Sequence, residues 1–364
     1  MRTLIVSDLH LGARSGVDVL RGSPALDALV AALDGVDRLV VLGDLLELRH
    51  GPAREALAAA EPVLASLGEA LGRKRELVIV PGNHDHGLLR PWLERRSLRS
   101  ASEPLGLQSE VTFEDHDLLG ELGRRVGRPR VRVTYPGIWI RPDVYAIHGH
   151  YGDRHNTVPI MERVGAGVMT RLVEEPSGGP ASAEDYEATL GPMYEWIEAI
   201  AQSDGSKLGV ANGSIQVRAW RALAAPGGGG RPRLALTSVQ RASLKLAFPV
   251  MVAALNRAGI GPLRADVSGP ELRRAALRAF GEVVQRLKVD APYVIFGHTH
   301  RAGPLPHDDI SEWRAPGGAA LVNSGSWVHD TGFVGPDPSD SPYRPGFCVA
   351  VGEDGPPELR NLLD

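Results

Sequence analysis

Leu39-Val40-Val41-Leu42-Gly43-Asp44 decides the fold. Four consecutive aliphatic residues, two of them β-branched, predict a short strand buried on both faces. The run stops at Gly43 and a carboxylate follows at once. In open α/β sheets the carboxyl ends of strands are where ligands bind. The same form recurs in four other places: Leu4-Ile5-Val6-Ser7-Asp8-Leu9-His10, Leu77-Val78-Ile79-Val80-Pro81-Gly82-Asn83-His84-Asp85, Val144-Tyr145-Ala146-Ile147-His148-Gly149-His150 and Val294-Ile295-Phe296-Gly297-His298-Thr299-His300. In each, an apolar run ends and oxygen or imidazole side chains begin.

Working outward, residues 2–7, 39–44 and 77–85 alternate with helical spacing over Ala25–Leu33 and Ala53–Leu71, the latter expected to break near Pro62. This β-α-β-α-β order predicts parallel strands with helices packed outside. Leu88–Leu98 reads as a short helix. Leu107–Phe113, Val131–Tyr135, Gly137–Ile140 and Asp143–Ile147 read as closely spaced strands of a second sheet, which Ala319–Val322 and Gly346–Val351 close. The expected architecture is α/β, a four-layer α-β-β-α sandwich. Residues 155–290 change character. Helical periodicity runs through Val158–Val173, Ala183–Ala201, Ile215–Leu223, Leu234–Ala258 and Pro270–Lys288, with low-complexity breaks at Glu175–Pro180 and Pro226–Gly230. The expected organisation is a core first part at 1–154, a helical insertion or cap at 155–290, and a core second part at 291–364.

Composition narrows the function. A net charge of −4 offers no general basic footprint, so no stable nucleic-acid partner is expected. The single cysteine, Cys348, permits no internal disulfide and fits a reducing, cytoplasmic compartment. Neither a signal peptide nor an apolar run of about 18 residues is read, so no membrane span is expected.

Taken singly the strand-end clusters are weak. Asp8 and His10 share a face because they lie two apart in an extended segment, yet a surface loop would explain them. Asparagine oxygen, as in Asn83, is a workable ligand for hard cations, and a lone histidine is more often a hydrogen-bonded residue than a ligand. Five such clusters together predict strand ends that meet around two metal ions, with Asp44 bridging them. Mixed Asp, Asn and His donors suit Mn²⁺, Fe, Zn²⁺ or Mg²⁺ and not thiolate-seeking metals. Mn²⁺ is the first expectation.

The set Asp8-x-His10, Gly43-Asp44, Gly82-Asn83-His84-Asp85, His148-Gly149-His150 and Gly297-His298-x-His300 resembles the calcineurin-like metallophosphoesterase family, over roughly 1–155 and 290–352. Asn323-Ser324-Gly325-Ser326 resembles the family's later Asn-x-Gly-Ser segment. The resemblance implies that Asp8, His10 and His300 hold one metal, that Asn83, His148 and His298 hold the second, and that Asp44 bridges. It implies a bridging water as nucleophile toward phosphorus. His84, next to ligand Asn83, is expected to be the general acid, with Asp85 orienting its ring; a turn cap is the alternative for Asp85. His150, Asp153, Arg154 and His155, which follow His148 closely, are read as substrate contacts, as supports of the metal ligands, or as solvated loop residues, and Arg301 as a bidentate phosphate holder or equally a structural ion pair.

Ser7-Asp8-Leu9-His10-Leu11, Gly43-Asp44-Leu45-Leu46-Glu47 and Gly297-His298-Thr299-His300-Arg301 are most similar to the UDP-2,3-diacylglucosamine hydrolase branch. That similarity implies a nucleotide-diphosphate substrate and peripheral contact with the inner membrane face. His84, where that branch typically carries arginine, and the long insertion depart from it. Leu244–Ile260 reads as an acyl pocket, an interfacial helix or, more simply, buried cap core, kinked at Pro249. A non-catalytic scaffold and a nuclease are the competing readings; the complete ligand set argues against the first and the acidic balance against the second.

Overall fold

The computed structural model describes residues 1–98, 103–173, 175–202, 249–266, 268–334 and 339–364. The expected helix at Ile215–Leu223, the break at Pro226–Gly230 and the first part of Leu234–Ala258 lie outside the described residues.

Strands β1 (Thr3–Val6), β2 (Arg38–Leu42) and β3 (Glu76–Val80) run parallel in that order, joined by helices α1 (Ser23–Ala32) and α2 (Ala53–Leu71). β4 (Gln108–Glu110) pairs with the long β5 (Arg130–Arg141), which is parallel to β3 over its first half and antiparallel to β6 (Val144–Ile147) over its second. β5 therefore carries the chain from one sheet into the other. There β6, β7 (Tyr293–Phe296) and β8 (Ala320–Asn323) lie parallel. β9 (Phe347–Val351) pairs antiparallel with β1, and β10 (Glu358–Asn361) with β9.

Each central strand is buried on both faces, so alternate residues enter two cores. Ile5, Val40, Leu42, Val78 and Val80 of the first sheet share one apolar cluster with Ile138, Val144, Ala146, Ile295 and Val322 of the second. This is the layer between the sheets. On the opposite faces, Leu39, Val41, Leu77 and Ile79 meet Leu29, Leu57, Leu64 and Leu67 of α1 and α2, while Val294, Phe296 and Leu321 meet Phe280, Val283 and Leu287 in and after the helix Gly269–Arg286. The layers are helix, sheet, sheet, helix, as expected.

Several expectations change. α2 does not break at Pro62; it runs unbroken because Val63, Leu64 and Leu67 are held in the core, and packing outweighs the one lost hydrogen bond. Val131–Tyr135 and Gly137–Ile140 are one strand. β9 belongs to the first sheet instead of closing the second. α3 (Arg90–Ser97) is the expected short helix, whereas α4 (Leu118–Val126) was not expected; α4 buries Leu119, Leu122 and Val126, at spacings of three and four.

After β6, a 3₁₀ turn spans His150–Arg154, followed by α5 (Met161–Leu172) and α6 (Ala183–Gln202). α6 is continuous with the core: Tyr186, Leu190, Met193 and Tyr194 belong to the same apolar cluster as the sheet. The Gln202 side chain donates to the Leu48 and Gly51 carbonyls and accepts from the Ala53 N–H, clamping the loop after β2. Residues 249–257 are helical. In that helix Val252 is buried, but Val250 and Met251 are 69% and 48% exposed, so the expected burial inside a cap does not hold for this stretch. Among the described residues no helix is long and apolar enough to cross a membrane.

Candidate dinuclear metal centre

The five strand ends meet. β1, β2, β3, β6 and β7 all end at the same edge, and each turns sharply there. Asp8, His10, Asp44, His298 and His300 have φ between +46° and +65°, the left-handed region that side chains other than glycine seldom enter. Strain of this kind collects at functional sites. The turns also need space. A Cβ on Gly43, itself at φ +87°, would lie 2.0 Å from His148 Nδ1, and one on Gly297 would lie 2.5 Å from Asp8 Oδ2. Glycine at these positions lets the ligand side chains close ranks.

Two groups of potential ligand atoms result, Asp8–His10–His300 and Asp44–His148–His298. In the first, His300 Nε2 lies 3.1 Å from His10 Nε2 and 3.3 Å from Asp8 Oδ1. In the second, Asn83 Oδ1 lies 3.2 Å from His148 Nε2 and 3.1 Å from His298 Nδ1. Asp44 stands between them: its Oδ2 is 3.7 Å from His10 Nε2 and 3.3 Å from His148 Nε2, while Oδ1 accepts from the His84 backbone N–H at 2.8 Å.

The donor set fits divalent cations. Three of the four ligand rings have the outward nitrogen tied, which leaves the inward one to take a proton or a metal. His148 Nδ1 donates to the Leu42 carbonyl at 2.9 Å, His10 Nδ1 to Glu47 at 3.0 Å, and His298 Nε2 to Asp153 at 2.8 Å. Asp8 Oδ1 is buried with no hydrogen-bond partner. By hydrogen bonding alone Asn83 would sit better turned over, with its nitrogen toward the imidazoles and its oxygen toward Arg49. A cation held by its oxygen and those two nitrogens would reverse that preference.

Charge is strongly coupled here. Burial alone would lower His10 and His148, but Glu47, Asp44 and Asp8 raise His10 to about 9, and Asp44 and Asp8 raise His148 to about 10. Asp44 and Glu47 are held well below the usual carboxylate range despite their burial, by the surrounding histidines.

The floor of the site is dry and the rim is not. Asp8, Asp44 and His148 are 0–1% exposed, whereas the His300 and His84 side chains are 32% and 24% exposed. His84 and His300 are thus the ring faces of the cluster that solvent reaches. The His84 Nδ1 is 2.8 Å from Glu47 Oε2, so a single buried carboxylate holds both His10 and His84. Burial, and Arg49 after it, lower His84 against the upward pull of Glu47.

Where the sequence left alternatives open, the structure shows what three of the candidate residues touch. Asp85 does not orient His84. Its oxygens accept from the backbone N–H groups of Leu45, Leu46 and Gly82, pinning the loops after β2 and β3 together, and Glu47 takes the orienting role. Burial and the nearby Asp44 carboxylate push Asp85 up to about 6. Arg301 is not a free phosphate fork: both terminal nitrogens engage Asp308, at 2.9 and 2.6 Å, and the guanidinium lies over Trp313. His150 is wholly buried behind His148, with Nε2 3.3 Å from the Tyr135 hydroxyl, on the side away from the rim. His86 is buried and paired with Glu187 of α6 at 2.7 Å.

Sequence reasoning passed over Glu47 and Arg49 as working residues, and named Asp153 only as one of several residues near His148. Glu47 lay inside the quoted Gly-Asp-Leu-Leu-Glu stretch, three residues from Asp44. Arg49 is buried, its Nη1 3.4 Å from His84 Nε2 and 3.7 Å from a Glu162 carboxylate oxygen, its guanidinium over Tyr194, and its Nε without a partner.

A family model described as calcineurin-like phosphoesterase matches residues 1–204. No curated protein matches the chain. Among solved structures, a dimetal phosphatase from Danio rerio is 12% identical, with a TM-score of 0.36, covering 100% of this chain and 99% of that one. A cold-active protein-tyrosine phosphatase from a psychrophilic Shewanella species is 12% identical with a TM-score of 0.26, covering 98% of this chain and 80% of that one. The family match spans more than half of the chain and takes in four of the five strand ends, and the fifth joins the same cluster in space. The chain belongs to the calcineurin-like phosphoesterase family and is a metal-dependent phosphoric ester hydrolase.

Proposed function

We propose that the chain hydrolyses a phosphoester or pyrophosphate bond at a pair of divalent cations, with His84 as the general acid. Asp8, His10 and His300 would hold one cation, Asn83, His148 and His298 the other, and Asp44 both. The mixed Asp, Asn and His donors suit Mn²⁺, Fe, Zn²⁺ or Mg²⁺, and Mn²⁺ is the cation we expect first. When bound, such a pair neutralises phosphoryl charge and makes water acidic enough to attack phosphorus.

The chain's own residues do the rest. Glu47 accepts the Nδ1–H of His84, so the Nε2 of that ring faces the rim, where the leaving oxygen departs. Arg49, whose Nη1 lies 3.4 Å from His84 Nε2 and 3.7 Å from Glu162, would take phosphoryl oxygens beside Nε2. Phosphoryl charge placed there offsets the push of the guanidinium and favours a proton on His84. The observation that carries the reading is the convergence of seven ligand residues from five strand ends beside a rim-exposed histidine. A scaffold that had lost catalysis would not keep this set.

In Mn²⁺ buffer the purified protein should hydrolyse p-nitrophenyl phosphate or its bis ester. His84→Ala should lower turnover by roughly 10²–10⁴ with metal content unchanged; unchanged turnover refutes the acid assignment. A panel containing UDP-diacylglucosamine, CDP-alcohols, cyclic nucleotides and single-stranded DNA sorts monoester, diester, pyrophosphate and nuclease chemistry.

A further inference from the structure

Three imidazoles of the cluster have their outward nitrogen tied, and the ties differ. A backbone carbonyl holds His148, and the shared Glu47 holds His10. The tie on His298 is the carboxylate of Asp153, which arises from the 3₁₀ turn His150–Arg154, five residues after His148. Asp153 is 2% exposed, and its second oxygen, Oδ2, is buried and reaches no donor. The hydrogen bond to His298 is thus the polar contact its carboxylate makes.

His298 needs such an anchor. Its backbone is fixed, with φ +65° and an N–H donated to Asp8 Oδ2 at 3.0 Å. Its ring lies toward the rim and can rotate about the Cβ–Cγ bond or carry its proton on either nitrogen. With Nε2–H donated to Asp153, Nδ1 is the nitrogen that faces Asn83 Oδ1. Without that acceptor, a proton on Nδ1 would block the ligand position.

We propose that Asp153 is a positioning residue that fixes the tautomer and ring angle of His298, and so sets the affinity of the cation position held by Asn83, His148 and His298, leaving that of Asp8, His10 and His300 nearly untouched. The inference rests on the dinuclear reading above. Partners of this kind change metal affinity by about 10–100-fold.

The test is Mn²⁺ binding by calorimetry and metal analysis at buffered free metal, on the full chain, with near-UV circular dichroism as the check of folding. Wild type should bind two equivalents. Asp153→Ala should bind one equivalent with wild-type affinity and the other about 10–100-fold more weakly. Asp153→Asn keeps the shape of the side chain and an oxygen that can accept from Nε2–H but loses the charge; it should weaken the same equivalent selectively and by less than alanine does, which serves should the alanine variant not fold. Equal weakening of both equivalents, loss of both, or no change in either variant overturns the proposal. Wild type binding no more than one equivalent overturns the dinuclear reading, and the proposal with it.

Discussion

Metal-stripped protein should lose stability as the solution turns alkaline from near-neutral pH. His10 and His148 are buried among carboxylates and are raised to about 9 and about 10, against about 6.5 in an unfolded chain. A histidine raised on folding contributes stability that is complete below the unfolded value and is lost as pH rises through the folded one. From pH 6.5 to 9 the loss is roughly 3 kcal/mol for each ring, at about 1.4 kcal/mol per unit. The pair loses less than twice that, because both rings lean on Asp44 and Asp8. Even one such contribution is a large share of a typical folding free energy of about 5–15 kcal/mol. The assay is the urea midpoint of chelator-treated protein at pH 6.5, 7.5, 8.5 and 9. It should fall steadily. Divalent cations compete with protons for the same nitrogens, so with Mn²⁺ in excess the midpoint should hold or rise over the same range. A flat profile in the stripped protein would refute the claim that these rings are held protonated by the cluster's carboxylates.

Two substitutions probe the scaffold of the site. Asp85→Ala leaves three backbone N–H groups without acceptors and should destabilise the fold by about 3 kcal/mol or more at about 1–3 kcal/mol each; a loss under about 1 kcal/mol by denaturant titration would mean that those bonds are dispensable. Gly297→Ala places a methyl carbon 2.5 Å from both Asp8 Oδ2 and Ser7 Oγ. It should cost about 1–3 kcal/mol in stability and lower metal content, and full metal occupancy in that variant would contradict the packing argument.

The metal ligands were legible because their signal is local: each sits within a few residues of the end of an apolar run, and strand ends of an α/β sheet share an edge. The roles of Glu47, Arg49 and Asp153 depend on where side chains point after folding. Glu47 serves His10 and His84, 37 residues away on either side, and no spacing rule reports that. Asp85 misled for the converse reason. A carboxylate next to the acid histidine reads as its partner, yet the turn after Gly82 aims it at backbone N–H groups. Pro62 was read by its local preference, which the apolar face of α2 overrides. β5 was divided because Pro136 and Gly137 resemble a turn, although the strand passes through them as it changes sheets.

The most direct test of the dinuclear account is anomalous scattering from crystals grown with Mn²⁺. The account predicts two peaks about 3.5–4 Å apart, the usual spacing of such pairs, with Asp44 contacting both, His10 at one and Asn83 at the other. A single peak, or peaks away from these residues, would contradict it.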